Sequence, residues 1–133
     1  MPTNSPRHNI STNTPWESVV GYSRAVRVGG LIFVTGTIAA DEAGNIIGGN
    51  DPYAQTVAAI RKIQDALQRA GADLQYVVRT RMFVTNIDHW QQIGSAHAEF
   101  FGRIRPATTM VEVKRLITPS ALIEIEADAV VIE

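Results

Sequence analysis

Cysteine is absent from the 133 residues, which removes disulfides, thiolate nucleophiles and thiolate metal sites together. No apolar run reaches the roughly 18 residues of a membrane-spanning helix, and the opening MPTNSPRHNI has no apolar core of the kind a secretory leader carries. Charge of one sign is missing too: 12 Lys plus Arg stand against 13 Asp plus Glu, a net charge of -1. A nucleic-acid partner calls for a basic stripe, and Lys114-Arg115 is the only basic grouping of note. No histidine or carboxylate spacing resembles HExxH or a facial triad, so no metal is expected. Gly44, Gly48 and Gly49 precede a helix without GxGxxG or a P-loop lysine, so they read as turn glycines and no cofactor is expected. These absences fit a cytoplasmic protein with no nucleic-acid or membrane partner, and the length fits one domain.

What is present is alternation. Residues 1–18, rich in Ser, Thr, Asn and Pro, read as an irregular arm that orders only where it docks, with Trp16 as the docking point, and residues 19–133 read as the domain. Ser23 to Val28 alternates in polarity, Gly29-Gly30 supplies a tight turn, and Leu31 to Thr35 is a short apolar strand. The glycine-rich stretch 41–50 is loop, with a short extended piece at Ile46-Ile47. Asp51-Pro52 places a cap before a proline at the first helical position. Val57, Ile60, Ile63, Leu67 and Ala70 then follow at helical spacing, predicting a helix that ends at Gly71. Tyr76 to Val84 alternates again. A second helix is predicted from Asp88, paired with Gln91, carrying Trp90, Ile93, His97, Phe100 and Ile104 on one stripe until Pro106 restores strand.

Two strands close the chain. Thr108, Met110, Glu112 and Lys114 share one parity and Thr109, Val111, Val113 and Arg115 the other; then Ile123, Ile125, Ala127 and Ala129 alternate with Glu124, Glu126, Asp128 and Val130. The predicted order is β-β-α-β-α-β-β, an α+β fold with two helices on one face of a mixed sheet. The other face mixes charges with Phe83 and threonines, and oligomerisation is the economical way to cover it.

Several side chains admit two readings. Glu124 is either a general acid-base group raised in pKa by Glu126 or Asp128, or the cross-strand ion partner of Arg79, Arg81 or Lys114. Glu112 needs a partner if it is buried: Arg115, Arg79 or a second subunit. Arg79 and Arg81 either attract an anionic substrate or pair with the acidic strip. His97, on the apolar stripe, reads as a packed histidine with one satisfied nitrogen. Tyr22 stacks on a planar substrate or seals the hairpin.

Gly21-Tyr22, LIFVTGTIA with Thr35-Gly36, RTRMFVTNIDHW, HAEFF, and above all PATTMVEVKRL followed by IEIEADAV, resemble the RidA (YjgF) family of reactive imine and enamine deaminases over nearly the whole chain. The resemblance implies a chorismate-mutase-like fold, a homotrimer whose sheets meet around a central barrel, and small-molecule clefts at the subunit boundaries. It implies that Tyr22 and Thr35 line the cleft, that the main chain at Met110 faces the ligand, and that Glu124 positions or activates water. The family's carboxylate-binding arginine falls at Thr108, one neutral hydroxyl in place of a two-pronged cation. Gly94 stands where an asparagine is usual. Arg105 lies three residues before Thr108, roughly 10 Å along a strand and of opposite parity, and reaches the cleft only by curling in from the strand's start. The implied chemistry is water addition to an imine or enamine carbon with loss of ammonia, without metal or organic cofactor. The same residues also admit a non-catalytic trimer that binds a metabolite or a protein through these clefts.

Overall fold

The computed structural model describes residues 6–12 and 14–132; residues 1–5 and 13 of the expected arm lie outside the described residues. Six strands form one sheet: β1 (Arg7–Ile10), β2 (Ala25–Val28), β3 (Leu31–Thr37), β4 (Val77–Val84), β5 (Ala107–Glu112) and β6 (Ile123–Val130), in the spatial order β1-β2-β3-β6-β4-β5. All neighbours are antiparallel except β4 and β5, and a parallel pair needs the long crossover that the second helix provides. Helices α1 (Pro52–Arg69) and α2 (Trp90–Phe101) pack on each other, and α1 packs on β3 and β6. The α+β architecture with a mixed sheet and two helices is the one the alternation predicts. Inside the stretch expected to be irregular, Arg7–Ile10 forms an additional edge strand on β2.

The core lies between helices and sheet, where Ile60, Ile63 and Leu67 of α1 meet Ile32, Val34, Ile123, Ile125 and Ala127. Helix α1 begins as predicted: Asp51 accepts from the Tyr53 N–H at 2.9 Å, Pro52 follows, and Gly71 past the end adopts φ +83°. Helix α2 starts differently. Asn86 and not Asp88 is the cap, accepting from the Asp88 N–H at 3.0 Å, and a short turn over Ile87–His89 precedes Trp90. The carboxylate of Glu112 takes the Ile87 N–H at 3.0 Å, so Glu112 finds a backbone donor in place of an arginine. The buried stripe begins one turn later than the apolar spacing predicts: Ile93, Ala96 and Phe101 are buried and Trp90 is 56% exposed.

A second, smaller cluster of Ile38, Ala40 and Ala121, with Trp16 packed against it, seats the N-terminal segment on the loops beside the sheet. Trp16 is thus the docking point the sequence predicts. Buried Gln55 ties these loops to α1, donating to Gly49 O (2.6 Å) and Ser120 O (3.0 Å) and accepting from the Leu122 N–H (2.8 Å).

Candidate functional site

A concavity of about 320 Å³ lies beside the irregular centre of β3. Strand β3 pairs regularly with β6 up to Val34, then shifts register before Thr37 pairs with Ile125. The extra length, Thr35-Gly36, bows out of the ladder, as a bulge must. Glu124, the first outward-facing residue of β6, turns its carboxylate into the space this leaves. A Cβ on Gly36 would meet Glu124 Oε2 at 2.1 Å, so only glycine tolerates the carboxylate there. Tyr22, Arg24, Thr35, Lys62 and Ile117 line the same cavity. The Thr35 hydroxyl donates to Ser23 O at 3.0 Å, which leaves its oxygen free to accept.

Of the three successive carboxylates on β6, two are taken. Arg81 sits opposite Glu126 in the β4–β6 register and its Nη1 reaches Glu126 Oε1 at 3.2 Å and Asp128 Oδ2 at 3.3 Å. These half-exposed pairs contribute little stability, but they occupy Arg81. Glu124 lies opposite Phe83 and makes no ion pair among the described residues. Burial raises its pKa first, the nearby Glu126 charge raises it further, and Arg24 opposes both. The ion-pair reading from the sequence therefore holds for Glu126 and Asp128 and fails for Glu124.

Arg24 is the residue the sequence did not single out, and parity offers no signal for it, since Val28 on the same parity is exposed while Ala25 on the other is buried. Arg24 itself is 5% exposed. Its Nη1 donates to Thr37 Oγ1 at 3.0 Å and more weakly to Gly36 O at 3.5 Å, and its guanidinium lies 5.9 Å over the Tyr22 ring. Glu17, also buried, stands 3.6 Å from Nε. Burial pushes Glu17 up, but hydrogen bonds from the Thr12 and Thr14 hydroxyls and the Thr12 N–H, with Arg24 alongside, bring its pKa below the usual value. Lys62 approaches from α1, donating to Ala40 O at 2.7 Å and Ile38 O at 3.3 Å. Burial and the Arg24 charge lower its pKa.

The other expected site residues are elsewhere in the protomer. Thr108 and Met110 on edge strand β5 pair with buried Thr80 and Met82, so they share the helix-side parity and not that of Glu124. The Thr108 hydroxyl is shared with Thr80 at 2.8 Å and donates to Pro106 O at 3.2 Å. Thr80 in turn bonds His97 Nε2 at 2.9 Å, and the His97 ring packs on Phe101 with centroids 4.6 Å apart. His97 is the packed histidine expected, its pKa lowered by burial. Arg105 is exposed and takes a left-handed conformation, φ +57°, just past α2. That conformation costs a non-glycine residue about 1–2 kcal/mol. Tyr22, Thr35 and Glu124 come together; Arg105, Thr108 and Met110 do not join them within one protomer.

Comparison with known proteins agrees with this fold. The family model for Endoribonuclease L-PSP matches residues 12–131. A RutC family protein of Pyrococcus abyssi is 39% identical over 109 residues, 81% of this chain and 84% of its own. Among solved structures, a member of the YjgF/YER057c/UK114 family from Mycobacterium tuberculosis superposes with a TM-score of 0.86 at 51% identity, covering 94% of this chain and 99% of that one. The YjgF gene product of E. coli gives a TM-score of 0.81 at 28% identity, covering 92% and 98%. With the family model spanning almost the entire domain and the fold shared with these solved structures, the chain belongs to the Endoribonuclease L-PSP family, the group also known as YjgF/YER057c/UK114.

Proposed function

We propose that the protein is a hydrolytic deaminase of reactive imine or enamine metabolites, acting in clefts completed by a neighbouring copy. The observation that carries this reading is Glu124: a carboxylate free of ion pairs among the described residues, raised in pKa, on the wall of a small cavity. A carboxyl group poised nearer neutrality can exchange protons with substrate and water at working pH. A water activated by Glu124 adds to the imine carbon, forming a C–O bond as the C–N π pair moves to nitrogen. Glu124 passes the proton it took from water to the carbinolamine nitrogen, ammonia leaves with the C–N bonding pair, and the hydroxyl proton goes to the ionised Glu124 as the carbonyl forms. An enamine first takes a proton at carbon and enters the same sequence. Thr35 accepts a hydrogen bond from the polar end of the substrate, and Tyr22 forms one wall.

The assembly is part of the proposal. The sheet face opposite the helices exposes Leu31, Phe33 and Val111, with Phe33 47% exposed, and a trimer, typical of the family, covers such a face. In that assembly the β5 edge of one copy brings Arg105, Thr108 and the main chain at Met110 to the Glu124 cavity of the next. Ammonia release from freshly generated iminoacids and from 2-aminomuconate-type enamines tests the reading. Activity lost in Glu124→Gln supports it, and an unchanged rate removes Glu124 from the mechanism. The Thr108 hydroxyl, already bonded to Thr80, favours the second reading, a trimer that binds metabolites without turnover; tight binding with no ammonia release by the wild type would establish that one.

A further inference from the structure

Three side chains form a continuous hydrogen-bonded chain through the outer edge of the sheet. Thr108 Oγ1 lies 2.8 Å from Thr80 Oγ1, and Thr80 Oγ1 lies 2.9 Å from His97 Nε2. Thr80 is fully buried in the middle, whereas Thr108 is exposed on edge strand β5. Each hydroxyl both donates and accepts, and a neutral imidazole carries its hydrogen on either nitrogen. The chain therefore has two complete arrangements with the same heavy-atom positions. In one, His97 Nε2–H donates to Thr80, Thr80 donates to Thr108, and Thr108 donates to Pro106 O at 3.2 Å. In the other, Thr108 donates to Thr80 and Thr80 donates to Nε2, with the imidazole hydrogen on Nδ1. Every hydroxyl hydrogen has an acceptor in both.

Exchange between them needs a proton to enter or leave at Nδ1. That atom has no hydrogen-bond partner among the described residues, and it is not enclosed: the one buried side-chain N or O atom without a partner among them is Arg24 Nε. Gly94, one turn earlier on α2, has nothing within 4 Å of an added Cβ, so the helix surface beside the ring is open. Burial alone shifts the His97 pKa, and downward, which keeps the ring neutral above the ordinary imidazole range. The two arrangements present different groups to a ligand. With Nδ1 protonated, the Thr108 oxygen keeps both lone pairs for a donor, and the aligned chain behind it strengthens it as an acceptor. With Nε2 protonated, the Thr108 hydrogen can turn from Pro106 O to a carbonyl. We infer that Thr108 accepts the N–H of a protonated imine bound in the cleft, and that Thr80 and the His97 tautomer set whether its hydroxyl accepts or donates. His97 and Thr80 are positioning residues. The inference rests on the proposed assembly, in which Thr108 faces the Glu124 cavity of the next copy, but it concerns binding and needs no turnover.

Nitrogen NMR of the His97 imidazole in the assembled protein, at about pH 7.5, tests it, with acetamidinium as a stable planar N–H cation and acetone as a carbonyl acceptor. Each probe is added until the Thr108 amide resonance stops moving. Acetamidinium is expected to shift His97 toward the Nδ1–H tautomer and acetone toward the Nε2–H tautomer. In Thr80→Val the Thr108 amide should still respond while the tautomer no longer follows, and Thr80→Ser should keep the coupling; a merely structural Thr80 would move neither readout. Should Thr80→Val fail to fold, the opposite tautomer shifts of the wild type with the two probes decide alone. A Thr108 amide unmoved by acetamidinium, a tautomer ratio indifferent to the probes, the same shift with both, or coupling intact in a folded Thr80→Val overturns the inference. Tautomer switching with no ammonia release from iminoacids would instead overturn the deaminase reading alone.

Discussion

Glu124 Oε2 occupies the space where a side chain on Gly36 would begin: an added Cβ would lie 2.1 Å away. Position 36 can carry no side chain while the carboxylate holds its place. Gly36→Ala should therefore displace Glu124 from the cavity, lowering ammonia release by about tenfold or more, since small misplacements of a catalytic group are costly. The check is turnover together with melting temperature, which separates displacement of the carboxylate from a general loss of the fold. An unaltered rate would mean that the carboxylate works from another position.

The raised pKa of Glu124 also makes a prediction about stability. A carboxyl group whose folded pKa lies above its unfolded value favours the folded state while protonated, and that advantage disappears as pH rises through the folded pKa. The neutral isostere in Glu124→Gln avoids the penalty of ionisation. Its Tm should exceed that of the wild type at pH 7–8, with the gap closing as pH falls toward the ordinary carboxylate range. Thermal melts across that range check the sign.

Glu17 works in the opposite sense. Its lowered pKa means that stability is present above the unfolded value and is lost as pH falls through the folded one. Glu17→Ala removes the counter-ion of buried Arg24, a change that typically costs about 3–5 kcal/mol. Urea unfolding at pH 7 should show a loss of that size, and the variant should lose less stability than the wild type on further acidification.

The chain from His97 through Thr80 to Thr108 predicts a third pH response. Burial lowers the His97 pKa, so acidification through the ordinary imidazole range protonates the unfolded chain first and stability falls. His97→Gln should flatten that part of the profile. Thr80→Val leaves His97 Nε2 without its partner and the Thr108 hydroxyl with Pro106 O alone and should cost about 1–3 kcal/mol, measurable by denaturant titration.

Local chemistry explains which features could be read in advance. Helix α1 was legible from end to end because its signals are near neighbours: Asp51-Pro52 at the start, a 3.6-residue apolar stripe, and Gly71 at the stop. The start of α2 was misplaced by two residues. Asn86 and Asp88 are both competent caps, and the decision came from Glu112, 25 residues away, which holds the Ile87 N–H. Strand β1 was missed because Arg7–Ile10 has no alternation of its own and is held by pairing with β2. Arg24 escaped notice since nothing in GYSRAV indicates that the guanidinium will be enclosed by Glu17, Thr37 and Tyr22.

The alternation in IEIEADAV determined that β6 would be a strand, that Ile123, Ile125 and Ala127 would face the core, and that Glu124, Glu126 and Asp128 would share the other side. Strand periodicity is a property of the backbone and requires no partner to be read. It could not say which of the three carboxylates would be left unpaired. The tertiary structure decided that by placing β4 beside β6 with Arg81 opposite Glu126, where the guanidinium reaches Glu126 and Asp128, and by opening the β3 bulge at Gly36 for Glu124. Register between strands so distant in the chain depends on how the whole sheet and its helices pack, and that packing set apart the proposed catalytic carboxylate.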